Sequence, residues 1–146
     1  MRITSPAFGH NEMIPAEYTC DGEDVNPTLM FEDVPEDIKS LALIVDDPDA
    51  PGKTWTHWIV LNISPDADGI HEDSVPEESI LVMNDFGSTH WGGPCPPRGI
   101  HRYRFKLYAL DGEPEFEEDM TILEIEEAIK PHVVEEAMLI GLYTRE

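Results

Sequence analysis

Three short segments gather side chains whose types and spacing could do chemistry. In Asp46-Asp47-Pro48-Asp49-Ala50-Pro51, Pro48 and Pro51 each fix φ, so Asp47 and Asp49 are preorganised carboxylates. His57 stands within Trp55-Thr56-His57-Trp58. The third segment, Gly92-Gly93-Pro94-Cys95-Pro96-Pro97-Arg98-Gly99, is a rigid Gly/Pro loop leading into His101-Arg102-Tyr103. A carboxylate, two imidazoles, a phenol and the backbone of a Gly-rich turn can build an anion socket. The carboxylate orients or charges an imidazole while N–H and O–H donors face the ligand. Each piece also has a plainer reading: a His on an apolar strand is often a hydrogen-bonded core residue, and Asp before Pro is often turn chemistry. Asp47, Asp49, His57 and His101 could instead hold a divalent metal that activates water on a phosphoester. No HExxH or CxxC spacing supports that alternative, so no metal site is expected. Cys95, set between prolines with no local base, is expected to have a structural or bystander role rather than to be a nucleophile.

These residues need elements to position them. Thirteen prolines and ten glycines cut the chain into short pieces rich in β-branched and aromatic residues, which predicts a mainly β fold. Ser40 to Asp46 holds a continuous apolar run and reads as a buried central strand ending at the first carboxylate segment. Trp55 to Ile63 reads as a second strand, and strict alternation would put Trp55, His57, Ile59, Leu61 and Ile63 on one face, with Thr56, Trp58, Val60 and Asn62 on the other. His101 to Leu110 alternates cleanly, with His101, Tyr103, Phe105, Leu107 and Ala109 opposite Arg102, Arg104 and Lys106. A Thr121-x-x-Glu124 capping box opens the main helical signal, residues Thr121 to Glu136, which Pro131 should break or kink. Ala137 to Thr144 reads as a closing strand.

The strings LALIVDDPDAP at 41–51, WTHWIVLNI at 55–63 and GGPCPPRGIHRYRFKLYALD at 92–111 resemble the two signature regions of the phosphatidylethanolamine-binding protein family. ITSPAFGHNEMIPAEYTCDGEDVNP at 3–27 and HVVEEAMLIGLYTR at 132–145 resemble the opening and close of its bacterial and archaeal Raf-kinase-inhibitor-like branch. The resemblance implies a large antiparallel sheet packed on a smaller one with a few short helices. It also implies a shallow pocket for phosphate-like anions, with Asp47 and Asp49 in the aspartate-proline signature, His57 as the pocket histidine, His101 and Tyr103 as the His-x-Tyr, and Gly93 and Pro94 at the rim. Asn26-Pro27-Thr28 replaces the usual Ser-Pro-Pro, Trp91 replaces a Tyr, and Pro131 stands where relatives often have Gly. The implied function is a binding module, not an enzyme. Its ligand would be a phosphorylated small molecule, a phospholipid headgroup or a phosphorylated partner side chain. The alternative is an inhibitor of a kinase or serine protease, since relatives are described as such. The resemblance also suggests a homodimer and calls for no cofactor.

Composition bounds the remaining possibilities. A chain of 146 residues that is 40% hydrophobic is expected to form a single domain over residues 1–146 with a proper core. Thirty-one acidic against nine basic residues leave a net charge of −22, which argues against nucleic-acid partners and fits either a salt-adapted or a merely acidic protein. With no basic and apolar leader and no apolar run of membrane-spanning length, the protein is expected to be cytoplasmic, without stable membrane insertion. There, Cys20 and Cys95 would be free thiols, with a disulfide as the alternative.

Overall fold

The continuous apolar run around Leu41–Val45 has no polar face to give to solvent, so it must be covered on both sides. In the computed structural model, which describes residues 1–146, it forms the wholly buried strand β4 (Ser40–Asp47). The other strands are β1 (Arg2–Thr4), β2 (Glu12–Met13), β3 (Leu29–Glu32), β5 (Trp55–Ile63), β6 (Gly69–Ile70), β7 (Ile80–Leu81), β8 (His101–Leu110) and β9 (Val133–Tyr143), with one helix, α1 (Ile122–Ile129). A six-stranded sheet runs β2-β9-β8-β4-β5-β7, and a three-stranded sheet runs β1-β3-β6. The pairings are antiparallel except that β2 runs parallel to β9.

Hydrophobic side chains pack on both faces of the large sheet. Between the sheets lie Leu41, Leu43, Val45, Trp58, Phe105 and Leu107 with Ile3, Leu29 and Phe31 of the small sheet. On the outer face, Ala42, Ile44, Ile59 and Leu61 meet Ile125 and Ile129 of α1. Strand β8 keeps the expected alternation, burying His101, Tyr103, Phe105, Leu107 and Ala109.

The alternation expected of β5 fails at two places. Val45 pairs with Trp58 and Asp46 with Thr56, so His57 is an extra residue with no opposite number on β4. Such a bulge turns adjacent side chains toward the same face. His57 therefore joins Trp58 on the inter-sheet side instead of sharing the outer face with Ile59 and Leu61. A second irregularity between Leu41/Ile63 and Leu43/Val60, where Asn62 takes φ 56°, returns Ile63 to the inner core.

The helical expectation needs correction as well. The Thr121/Glu124 capping box is present, but α1 stops at Ile129 and a 3-10 turn over Lys130–His132 follows. Pro131 has no N–H to continue the ladder, and Val133 onward is captured by β8, with Val133 opposite Leu110. The closing strand thus starts four residues earlier than patterning suggests, because β-branched Val133 and Val134 find a ready strand edge.

Candidate functional site

Asp47 is the last residue of β4, buried at 3% exposure. Its Oδ2 accepts from His101 Nδ1 at 2.7 Å, and its Oδ1 accepts the Asp49 backbone N–H at 2.8 Å across Pro48. The carboxylate is thereby held by the turn it begins, and it fixes the tautomer of His101: Nδ1 carries the proton, leaving Nε2 without a protein partner. Asp49 does not join it in the pocket. The Arg102 guanidinium grips Asp49 through Nε at 2.9 Å and Nη2 at 2.8 Å, and the Arg102 N–H adds a third bond. This holds the Asp49 pKa down to about 2. Asp46 points to the outer face, between Arg104 and Lys106.

His57 reaches the same cavity from its bulge. Its Nδ1 donates to the Gly92 carbonyl at 2.5 Å, because a carbonyl can only accept. Burial holds the His57 pKa below its ordinary 6.5, outweighing the opposing pull of that bond and of Asp47. The His57 ring lies edge-on to Tyr103, with centroids 5.3 Å apart. The Tyr103 hydroxyl is buried and its proton has no acceptor. Burial pushes its pKa up, against a weaker opposing pull from the Cys95 backbone N–H, which approaches the oxygen too loosely for a hydrogen bond. The ladder that brings Val45 opposite Phe105 also brings Asp47 beside Tyr103.

Asp47, His57, His101 and Tyr103 line one pocket of about 330 Å³, whose remaining walls are Ala50, Pro51, Trp55, Phe86, Cys95, Pro96 and Pro97. Asp49 lines an adjoining outer groove with Arg98, Ile100 and Arg102. Gly93 and Pro94 lie outside the pocket walls and clamp its loop to the segment around residues 18–24. The Gly93 N–H donates to Asp24 Oδ1 at 2.8 Å, and the Pro94 carbonyl accepts from the Cys20 N–H at 3.1 Å. A Cβ at Gly93 would come within 2.3 Å of both Asp24 Oδ1 and the Tyr18 carbonyl.

The free-thiol expectation is overturned next to this clamp, where Cys20 and Cys95 form a disulfide with Cα atoms 5.5 Å apart. Two loops distant in sequence are brought together by the fold, and the thiols meet. No three His, Cys, Asp or Glu side chains are grouped to hold a metal ion: Asp49 is turned to Arg102, and His57 Nδ1 is committed to a carbonyl.

Sequence reasoning missed Trp55 and Phe86 as site residues and Asn84 as their support. Asn84 Oδ1 accepts from the Phe86 and Ser88 N–H groups, and its Nδ2 donates to the carbonyls of His57 and His90. An aromatic in the polar turn Asn84-Asp85-Phe86-Gly87 was the available signal, since such turns seldom present a large apolar side chain without a role.

A family model described as phosphatidylethanolamine-binding protein matches residues 4–144. The chain is 47% identical over 150 residues to a UPF0098 protein of Methanothermobacter thermautotrophicus, covering 99% of each. It is 46% identical over 149 residues to a UPF0098 protein of Pyrococcus horikoshii, covering 97% of this chain and 75% of that protein. Its structure is similar to that of a putative phosphatidylethanolamine-binding protein homologue from Chlamydia trachomatis, with a TM-score of 0.94, 39% identity, and coverage of 99% and 97%. It is likewise similar to E. coli YbcL, described as a new member of the mammalian family, with a TM-score of 0.93, 29% identity, and coverage of 99% and 98%. The chain belongs to the phosphatidylethanolamine-binding protein family.

Proposed function

We propose that this protein is a binding module that captures phosphate-like anions in the pocket formed where β4, β5 and β8 converge. The observation that carries this reading is the Tyr103 hydroxyl, a donor buried without a partner beside two imidazoles that are each held through Nδ1. An unpaired buried hydroxyl costs stability unless something bonds to it. A tetrahedral oxyanion supplies acceptors for it and for the Nε2–H of a protonated imidazole. Asp47 would not touch the ligand. It would orient His101 and balance the ring charge, since carboxylate and anion repel.

Binding rather than catalysis suits these groups. Cys95, the thiol-bearing residue in the pocket wall, is tied in a disulfide and cannot attack as a thiolate. The family's name points to a phosphate-ester headgroup, chemistry that this socket would accept. No helix is long and apolar enough to cross a membrane. A cytoplasmic location remains part of this reading, and a disulfide is compatible with it where intracellular proteins carry such bonds, as in hyperthermophiles.

The test is calorimetric titration with inorganic phosphate at several pH values and constant ionic strength. His57 starts with a depressed pKa, and a bound anion raises it by favouring the charged ring. Affinity should be highest below the free-state value, which lies under 6.5, and fall as pH rises through the bound one. His57→Ala should flatten that dependence. Asp47→Asn should weaken binding although it removes a negative charge. A pH-indifferent affinity, or one that rises in Asp47→Asn, would sink the proposal.

A further inference from the structure

The walls above the polar floor do not resemble a socket for a bare ion. Ala50, Pro51, Trp55, Phe86, Pro96 and Pro97 surround it, and no Lys or Arg side chain lines the pocket. The volume of about 330 Å³ falls in the range of sites that enclose organic ligands. With a net charge of −22, the molecule's overall field opposes any anion, and only the two histidines can add positive charge at the floor.

Phe86 is the anomaly in this collar. It is 48% exposed, yet its ring packs edge-on against Trp55 at 5.6 Å and His57 at 5.1 Å. The turn beneath it is fixed by the buried Asn84 side chain, which bonds the Phe86 and Ser88 N–H groups on one side and the His57 carbonyl on the other. Asp85 adds two anchors, accepting the Thr56 N–H at 2.7 Å and Lys53 Nζ at 3.0 Å. Gly92 lies directly against the ring, where a Cβ would come within 2.4 Å of Phe86 Cδ2. A buried polar network thus holds an apolar ring half in water, next to an imidazole whose Nε2 is uncommitted. Such exposure is unfavourable in the free protein and is offset when a ligand covers the ring.

We propose that the pocket selects a small organic phosphate whose ester is borne on an apolar ring, and that Phe86 sets this preference by packing against that ring. The proposal rests on the anion-binding reading above. The phosphoryl oxygens meet Tyr103 and the histidines at the floor, and the ring lies among Trp55, Phe86 and the prolines. Apolar contact then supplies the affinity that the protein's charge takes away.

The test is calorimetric titration of the full chain, purified without phosphate, with phenyl phosphate, phosphoethanolamine and inorganic phosphate at one pH and ionic strength. Phenyl phosphate should bind about tenfold tighter than either of the others, the gain expected from burying one ring against an aromatic wall. Phe86→Ala should cut the ratio of phenyl phosphate to inorganic phosphate affinity to about threefold or less. Because the readout is a ratio within one protein, a partial loss of folded protein does not imitate it, and a melting curve of the variant checks the fold. If inorganic phosphate binds but phenyl phosphate binds no tighter, or if the ratio survives in Phe86→Ala, the selectivity proposal is overturned while anion capture stands. Failure of all three anions to bind overturns both.

Discussion

On the proposed anion-binding reading, one atom of Tyr103 weighs differently in the free and the bound protein. Its hydroxyl proton is sealed in without an acceptor, so removing the hydroxyl deletes an unsatisfied donor at the cost of only a loose approach from the Cys95 N–H, whereas the rest of the ring keeps its packing beside His57. Tyr103→Phe should therefore leave stability unchanged or raise it by up to about 1 kcal/mol, measured by denaturant unfolding. The same change should lower phosphate affinity about tenfold at every pH, since a hydrogen bond to a charged acceptor is lost. A variant that is less stable and binds as before would mean the hydroxyl has a structural partner instead. His57 and Asp49 act on stability in the same direction. Both have depressed pKa values, His57 by burial and Asp49 chiefly by Arg102, so each contribution is present above the ordinary value and lost as pH falls. For Asp49 the window runs from 3.8 down to about 2.

At the scale of elements, the site depends on one bulge and one staple. The extra residue in β5 moves His57 across the sheet to meet Tyr103, and the Gly92–Gly99 loop must then lie close enough for the Gly92 carbonyl to accept the hydrogen bond from His57 Nδ1. That loop is pinned by the Cys20–Cys95 disulfide, the Gly93–Asp24 bond and the Trp91 Nε1–H donating to the Tyr18 carbonyl at 3.0 Å. Both half-cystines are exposed, and the cross-link joins residues 75 apart in sequence. Reduction, or Cys20→Ser with Cys95→Ser, should cost about 2–4 kcal/mol of stability through the freer unfolded chain. Thermal unfolding with and without dithiothreitol measures it. Phosphate affinity should fall in parallel as Cys95 and Pro96 lose their fixed place in the wall, and an unchanged melting curve would show that the staple is redundant.

Across the whole molecule, the net charge of −22 governs association more than it governs the fold. The core on each face of the large sheet is apolar, and apart from the buried Asp46 and Asp47 the acidic side chains reach the surface. We expect a homodimer whose contact avoids the acidic faces, because repulsion between two such subunits is tolerable only when those charges stay solvated or screened. Dilution and low salt should both promote dissociation. Light scattering that reports a monomer at high salt and high protein concentration would remove this expectation.

Much of this protein is legible in its sequence. The apolar run of β4, the alternation of β8 and the Thr121/Glu124 capping box are local patterns, and burial periodicity or capping chemistry specifies them within a few residues of chain. The polar residues that line the pocket are equally readable, because Asp47, His57, His101 and Tyr103 stand out against the strands that carry them. Partnership was not readable. Asp47 and Asp49 look equivalent in the chain, and only the approach of β8 sends one to His101 and the other to Arg102. His57 sits in a strand whose alternation gives the wrong face, because a bulge is a property of the pairing between two strands and leaves no mark in either alone. The disulfide, the place of Gly93 in a clamp behind the pocket, and Phe86 in its wall depend on segments tens of residues apart coming into contact. Periodicity is a local consequence of backbone geometry and can be read along the chain, whereas a pocket consists of contacts between segments that meet only once the sheets have closed.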